Sequence, residues 1–367
     1  METRHFNLLA LAAVISLIAA GVVHSAYNSL QQEVVTGQKV FPALADKAGW
    51  VHEVVLQQGE KTITLKKNES GKGWGIVERN GYPVSAKSVR EIVFKLAQAE
   101  LIEPKTRDPS RYGQLNLGDP TVKGTEAKLV KLADADGQPI AEVVVGKNKY
   151  AAFGAGRSGT YLRRPGKPQT WLANLDLKAP MDISDWVEPV FFKVPKEQIK
   201  SVVVSEAGQT VYKLAPAADG KGIFEVVDFG GGRKVKKSLR VDDLINGIWT
   251  LEMLDVRVRD EAKAAADMTA VITAQDGTQY KISMMRDGKE NREPWLTVDV
   301  TIPDGVKDRA EAEKIAAATK GWSFRIADWR ARQTFKSAGD VFEKVAAETP
   351  KPTPASAKPA EGGAAKP

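Results

Sequence analysis

The amino-acid sequence predicts an α+β protein made of two tandem repeats of a mainly antiparallel sheet with a packed helix, preceded by one N-terminal transmembrane helix. Three observations support this prediction. An uncharged apolar segment opens the chain, short alternating apolar runs recur along it, and one strand and helix pattern occurs twice, at 54–101 and at 202–254. Alternation with a period of two is typical of half-buried strands.

The N-terminal apolar segment, residues 6–23, carries no charge and only two polar side chains. A helix over it would be about 27 Å long, close to the thickness of a bilayer core. It therefore predicts a membrane anchor within 1–25. The alternative is a cleaved signal peptide, for which Val23-His24-Ser25 is an imperfect cleavage site.

Basic residues around this segment predict its orientation. Arg4 precedes it, and the next lysine or arginine after it is Lys39. Because cytoplasmic flanks carry an excess of such residues, we expect a cytoplasmic N-terminus. The bulk of the chain would be periplasmic or otherwise extracytoplasmic, joined to the anchor by a stalk at 26–49.

The helix of the repeated pattern corresponds residue by residue between the copies. Its apolar positions recur with a separation of 152 residues and the spacing i, i+3, i+4, i+7, which buries one stripe of a helix against a sheet. They are Val89, Ile92, Val93 and Leu96 in the first copy and Val241, Leu244, Ile245 and Ile248 in the second. Ser88 and Glu91 have capping-box spacing, which predicts a helix from close to Ser88 to about Ala99.

Other features also occur twice. Apolar runs around an Asp-Gly turn predict hairpins near 128–146 and 270–283. An Ile-x-Asp-Trp motif stands at 183–186 and at 326–329. Aromatic residues take matching places, Trp74 with Phe224 and Trp186 with Trp329, as packing anchors of two cores would.

These repeats predict the domain organisation. We expect a first α+β unit at 50–190 and a second at 191–345, followed by a disordered Pro/Ala/Lys tail at 346–367. The Ala-rich segment Ala310–Thr319 predicts a helix of the second unit that has no counterpart in the first.

Composition excludes several kinds of chemistry. The chain has 367 residues, a net charge of +7 and no cysteine, so disulfides, thiolate nucleophiles and zinc–thiolate sites are impossible. Its basic residues form no block with interleaved aromatics, so we expect no nucleic-acid partner. Of three histidines, His52 alone lies in the predicted folded part, and it is expected to be an ordinary surface residue.

The motifs of the chain predict no catalytic residue, no cofactor and no metal ligand. The glycine-rich segment 154–160 lacks the Gly-Lys-Ser/Thr ending of a phosphate loop and favours a hairpin loop. Asp134-x-Asp136-Gly137 lacks the later carboxylates of a calcium loop and favours a turn. A hydrolase that uses carboxylates alone stays an open alternative, because paired acids cannot be located without a fold.

One basic cluster stands out along the chain. It follows three consecutive glycines and comprises Arg233, Lys234, Lys236, Lys237 and Arg240. Such a cluster is typical either of a surface that binds an anionic partner or of a solvated hairpin tip before a helix.

Short motifs along the chain resemble those of the DUF4340 family, a domain of unknown function. They are the anchor, Trp50-Val51, the segment 112–120, Val144-Val145-Gly146, 160–163 and Asp185-Trp186. The resemblance covers most of residues 1–345. It implies a protein anchored in the bacterial inner membrane and belonging to the cell envelope, of the kind often found beside export-type ABC transporter components. It implies no active site.

The sequence therefore predicts a non-enzymatic, membrane-anchored extracytoplasmic accessory or scaffold protein of a bacterial envelope complex, such as an ABC-type exporter. Its expected partners are the membrane, through residues 6–23, and a protein of that complex. The alternative function is a binding module for an anionic envelope polymer or for lipid headgroups, based on the basic cluster.

Overall fold

The computed structural model describes residues 13–22, 37–69, 71, 73–218, 224–227, 233–261, 266–288 and 292–343. Residues 13–22 form helix α1, whose side chains are exposed. Within these described ranges, no helix combines the length and the apolar character needed to cross a bilayer. The rest of the predicted anchor and the predicted tail lie outside the described residues.

A first sheet contains ten strands in the described part of the chain. They are β1 (Gln38–Lys39), β2 (Glu53–Gln58), β3 (Lys61–Lys67), β4 (Trp74–Ile76), β5 (Tyr82–Val84), β6 (Glu100–Pro104), β7 (Lys128–Ala133), β8 (Pro139–Lys149), β9 (Gly159–Arg163) and β10 (Thr170–Asn174). Their order is β1-β6-β10-β9-β8-β7-β2-β3-β4-β5, and every neighbouring pair is antiparallel.

A second sheet contains eight strands within the described residues, and two further strands form a separate pair. The pair is β11 (Val190–Lys193) with β15 (Thr250–Glu252). The eight strands are β12 (Ile199–Glu206), β13 (Gln209–Pro216), β14 (Phe224–Val227), β16 (Asp255–Val258), β17 (Met268–Ala274), β18 (Gln279–Asp287), β19 (Glu293–Thr301) and β20 (Trp322–Arg325). All their pairings are antiparallel.

The two sheets share one strand order. Eight neighbouring strands of the first run β6-β10-β9-β8-β7-β2-β3-β4, and the second sheet runs β16-β20-β19-β18-β17-β12-β13-β14. The predicted α+β class with large antiparallel sheets is confirmed, as are both predicted hairpins, which are β7–β8 and β17–β18.

The helices that follow α1 in the described residues are four to thirteen residues long. The helices after α1 are α2 (Leu44–Lys47), α3 (Ala86–Gln98), α4 (Val241–Ile248), α5 (Ala310–Thr319), α6 (Asp328–Thr334) and α7 (Ala338–Val341). The predicted stripe of α3 is buried, and so is that of α4 except for half-buried Val241. Helix α5 lies between β19 and β20, whereas β9 and β10 are joined by a short turn, so the expected extra helix is confirmed.

One buried apolar cluster runs through both sheets and the chain that joins them. A smaller cluster lies on the other face of β8, where Val144 contacts a loop that contains the 3-10 helix Pro109–Leu115. Tyr112 and Leu117 of that loop cover Val144, while the flanking Val143 and Val145 face the main core. The first sheet is therefore covered on both faces at this strand.

Helix α3 begins two residues before Ser88, and the predicted capping box of Ser88 and Glu91 does not form. Helix α3 begins at Ala86, and the side chain of Ser85, its N-cap, makes no capping hydrogen bond. Instead the Ser85 amide donates to the Trp186 carbonyl at 2.9 Å, so a tertiary contact fixes the chain before the helix. Glu91 pairs with Lys95 at 2.8 Å rather than closing a capping box.

Two other expectations also differ from the structure. Residues 37–49, expected in the stalk, pack on the first sheet, because β1 pairs with β6 and the side chains of Val40 and Leu44 are buried. Trp186 is a buried anchor, but Trp329 is 59% exposed, with the Arg330 guanidinium 4.6 Å from its ring centroid. Trp329 lies in the first turn of α6, on a side of the helix that faces solvent.

Candidate functional site

A cleft of about 550 Å³ lies where the first sheet, the joining chain and the second unit meet. Tyr82 of β5 lines it from the first sheet, Phe191 and Phe192 line it from β11, and Tyr280 and Ile315 line it from the second unit. The volume lies within the range of small-molecule and peptide pockets. One wall of the cleft is α5, the helix that only the second unit possesses.

Aromatic side chains hold the base of this cleft. The ring of Tyr82 meets Trp322 edge-on with centroids 4.9 Å apart, and Phe191 stacks on Phe324 at 4.2 Å. Such pairs contribute about 0.5–1.5 kcal/mol beyond the area that they bury. The first pair joins β5 of the first sheet to β20 of the second, and the second pair joins β11 to the same strand.

The charged residues that line the cleft in the described part of the chain are Glu188, Lys193, Glu311 and Lys314. Lys314 Nζ lies 3.9 Å from a carboxylate oxygen of Glu311, both on α5. Burial raises the pKa of Tyr82 to about 12, and burial likewise raises the pKa of Tyr280, with nearby carboxylates adding to the effect. Both phenols are therefore neutral hydrogen-bonding groups at physiological pH, suited to binding.

A partly buried ion pair joins the two units. The guanidinium of Arg79 donates to both carboxylate oxygens of Asp255, at 2.6 and 2.9 Å. This side-chain hydrogen bond is the main reason why the pKa of Arg79 is raised. A bidentate arginine–carboxylate pair fixes orientation as well as distance.

The predicted basic cluster divides into a held part and a free part. Val235 bridges to Phe342, the Lys236 amide donates to the Val341 carbonyl, and Lys236 Nζ donates to the Gly339 carbonyl. The Arg233 guanidinium lies 5.7 Å from the ring centroid of Phe342. These contacts tie the segment to α7 and the residues that follow it.

Lys237 and Arg240 form the free part of the cluster. Both are exposed, and among the described residues their side chains have no hydrogen-bonding or ion-pair partner. Lys234 is exposed as well, with its carbonyl accepting from the Glu343 amide. Binding of an anionic partner by this cluster stays a prediction.

Other sequence features take structural positions. His52 Nδ1 lies 2.9 Å from the Trp50 carbonyl oxygen. Asp134 accepts from the amides of Asp136 and Gln138, which closes the β7–β8 turn. Of the segment 154–160, residues 154–158 form the turn that leads into β9, and residues 159 and 160 begin the strand. In the part of the chain that the structure describes, no group of three or more acidic or histidine side chains could hold a metal ion.

The cleft could not be located from the sequence. Tyr82 and Phe191 belong to short strands that are far apart in the sequence. Nothing in the pattern of either strand indicates that both side chains line one cleft. The one sequence feature that indicated the position of the cleft was the extra helix α5. An insertion in one copy of a repeat gives that copy a surface that the other copy lacks.

These features define a class: an α+β protein whose two antiparallel sheets share one strand order and a common core, with a cleft where the units meet. Residues 74–290 match the family described as a domain of unknown function, DUF4340. The match spans more than half of the chain, which therefore belongs to the DUF4340 family, as its motifs predicted. Among curated proteins, none matches the chain.

Proposed function

We propose that the protein is a non-enzymatic, membrane-anchored accessory or scaffold subunit of a bacterial envelope complex, such as an ABC-type exporter. The observation that carries this proposal is the continuous core joining two sheets of one strand order. A rigid body of this kind presents several surfaces at fixed distances, which is what a scaffold requires.

The domain organisation belongs to the same proposal. The two units are tandem repeats, at about residues 50–190 and 191–345, carried outside the membrane by an anchor within 1–25. The shared strand order and the matching places of α3 and α4 support the repeat. The uncharged segment 6–23 and the preceding Arg4 support the anchor and its orientation in the inner membrane.

The cleft favours binding over catalysis. Its lining includes two carboxylates, Glu188 and Glu311, and both are exposed. A carboxyl group that acts as a general acid near neutral pH lies in an apolar pocket instead. A carboxylate-dependent hydrolase is therefore a less favoured alternative to the scaffold.

Purification of the native membrane complex tests the proposal. The full chain, tagged at its C-terminus and expressed at its natural level, is solubilised in mild detergent and isolated in parallel with an unrelated single-pass protein of similar topology. We expect stoichiometric recovery of at least one envelope protein with this chain and not with the control. Recovery of the chain alone, across several detergents, would contradict the proposal.

The second candidate is a binding module for an anionic envelope polymer or lipid headgroups. The exposed side chains of Lys237 and Arg240, together with Lys234, favour it. Reversal of these three charges to glutamate should abolish sedimentation with anionic vesicles at low salt, and raised salt should weaken binding by the native chain. Equal binding by the native and reversed chains would remove this candidate.

A further inference from the structure

A second concave surface lies on the first unit, away from the cleft. It is an apolar groove of about 620 Å³ between α3 on one side and α2 with the 3-10 helix Ala48–Trp50 on the other. Its floor contains Val51, Val89 and Val93, all buried. The volume is large enough for several side chains of a bound segment.

The charges around the groove have one sign. Lys67 and Arg90 line it, and no acidic residue does. Lys67 Nζ lies 5.7 Å from the ring centroid of Trp74, and neither cation has a carboxylate partner within the described part of the chain. A surface of this kind attracts an anionic apolar ligand.

Phe94 departs from the pattern of α3. The helix buries one stripe, yet Phe94 lies outside that stripe, lines the groove and is 64% exposed. Trp50, on the opposite side at the end of the 3-10 helix, is 62% exposed. Large exposed aromatics beside a concave apolar surface are typical of interaction sites.

The second unit shows how an equivalent space is filled. With the register of 152 residues between the copies, Ala97 of α3 corresponds to Trp249 at the end of α4. The Trp249 ring packs against the core and lies beneath Lys193 and Lys196, with the two ammonium groups 5.8 and 5.2 Å from its centroid. The first unit has only a methyl group at this position, and Ala97 lines the groove.

Neighbouring positions differ in the same sense. Phe94 corresponds to Asn246, whose side chain accepts from Lys196 Nζ, and Arg90 corresponds to Asp242. In the second copy the Trp249 ring occupies the space and its neighbours are polar. In the first copy the space is open and is lined by the Phe94 ring and the Arg90 guanidinium. The described part of the chain supplies no side chain that fills this space, and the C-terminal tail contains no aromatic residue.

We propose that this groove is a docking site for a protein partner, which inserts a large aromatic side chain in the place that Trp249 occupies in the second unit and carries acidic residues beside it. The apolar floor takes the ring, and Lys67 and Arg90 face the acidic flanks. The proposal rests on the proposed accessory function and specifies the chemistry of the partner.

A peptide titration tests the proposal. The probe is a blocked, dye-labelled peptide with one central tryptophan between glutamates, titrated against the full chain in zwitterionic nanodiscs up to about 1 mM. We expect saturable binding that is lost when the tryptophan is replaced by alanine or the glutamates by lysines. Absence of binding in this range, or equal binding of all three peptides, would overturn the proposal.

Variants of α3 locate the binding. Ala97→Trp copies the second unit, fills the groove and should weaken binding of the acidic tryptophan peptide at least about tenfold. Arg90→Glu should weaken it about two- to fivefold at low salt, whereas Lys87→Glu, an exposed charge on the same helix outside the groove, should not. If Ala97→Trp fails to fold, the contrast between the two charge reversals decides the question, and equal effects would overturn the proposal.

The same variants separate this proposal from the proposed function. If the native complex forms but is unchanged by Ala97→Trp and Arg90→Glu, the groove is not the docking site while the accessory function stands. If the peptide binds as expected but no envelope protein is ever recovered, the accessory function fails. The native chain could instead bind anionic vesicles more tightly than the peptide and lose that binding in Arg90→Glu. This result would overturn the proposal of a protein partner and indicate a lipid ligand.

Discussion

Single residues limit what this fold tolerates, and Gly146 of β8 shows the limit most clearly. A Cβ atom at this position would lie 2.1 Å from the Leu115 carbonyl oxygen, in the loop that covers the outer face of the sheet. The backbone of β8 and the loop therefore touch directly. Any side chain at position 146 must push the loop away.

We expect Gly146→Ala to lower the free energy of unfolding by about 2–4 kcal/mol, because overpacking displaces the loop and its small apolar cluster. Gly113→Ala, in the same loop, is the matched control, since a Cβ there meets nothing within 4 Å. Urea denaturation measures both. A stability equal to that of the native protein for Gly146→Ala would show that the loop does not pack as described.

The buried phenol of Tyr82 makes the stability of the folded protein depend on pH in the alkaline range. Burial raises its pKa to about 12 in the folded state, above the value of about 10 in an unfolded chain. The folded state therefore holds its proton more tightly, and the stabilisation is fully present below pH 10 and is lost as the pH rises toward 12.

We expect Tyr82→Phe to reduce the loss of thermal stability between pH 9 and about 11, compared with the native chain. Tyr150→Phe is the control, because Tyr150 is highly exposed. Melting curves followed by circular dichroism across this range provide the measurement. Identical pH dependence of the native chain and Tyr82→Phe would contradict the burial of this phenol.

Residue-level prediction succeeded where a residue type has one physical role. The apolar stripes of α3 and α4 were predicted from spacing alone, because a helix on a sheet has few ways to bury them. It failed for Trp329, since the motif shared with Trp186 does not fix which side of a helix faces the core. It also missed Phe94, whose exposure depends on the space beside the helix.

Among the secondary-structure elements, α5 distinguishes the second unit from the first. It contacts β19 and β11 and forms one wall of the cleft, and Ala312, Ile315 and Thr319 are its buried residues. The sequence predicted that this segment is helical, but not where the helix packs. That it packs toward the joining chain depends on long-range contacts that local spacing does not encode.

We expect Ile315→Ala to cost about 2–4 kcal/mol and to increase amide exchange throughout α5, because it removes a buried side chain between the helix and the sheet. Ala317→Ser, on the exposed face of α5, should change neither quantity measurably. Hydrogen exchange with mass spectrometry resolves the two. Unchanged protection of α5 in Ile315→Ala would mean that the helix is held by other contacts.

The segment 37–49 shows why element boundaries near a terminus are hard to predict. Its polar composition suggested a stalk, yet β1 pairs with β6, and Val40 and Leu44 are buried. Two buried side chains in a polar segment give no periodic signal. Only the sheet edge that they cover reveals their role.

At the scale of the whole molecule, the sequence predicted two repeated units but not how they meet. The Arg79–Asp255 pair and the stacked Phe191 and Phe324 rings join distant parts of the chain. Contacts of this kind do not belong to the repeated pattern, so comparison of the two copies in the sequence does not reveal them. The cleft arises from this joint, so its location could not be predicted either.

We expect Arg79→Ala to lower the free energy of unfolding by roughly 1–3 kcal/mol. The substitution breaks a partly buried, bidentate ion pair and leaves the Asp255 carboxylate without its arginine partner. Arg332→Ala is the control, since this mostly exposed arginine pairs with Asp328 within one helix and should cost at most about 0.5 kcal/mol. Thermal denaturation compares the two variants. Equal effects would contradict a specific role of Arg79 in joining the units.

The two units form one body through a shared core, as a scaffold requires. Calorimetric unfolding of the full chain tests it most directly. A shared core predicts one transition, with the calorimetric enthalpy equal to the van't Hoff enthalpy. Two separable transitions, or a calorimetric enthalpy about twice the van't Hoff value, would show that the units unfold independently and would contradict the claim.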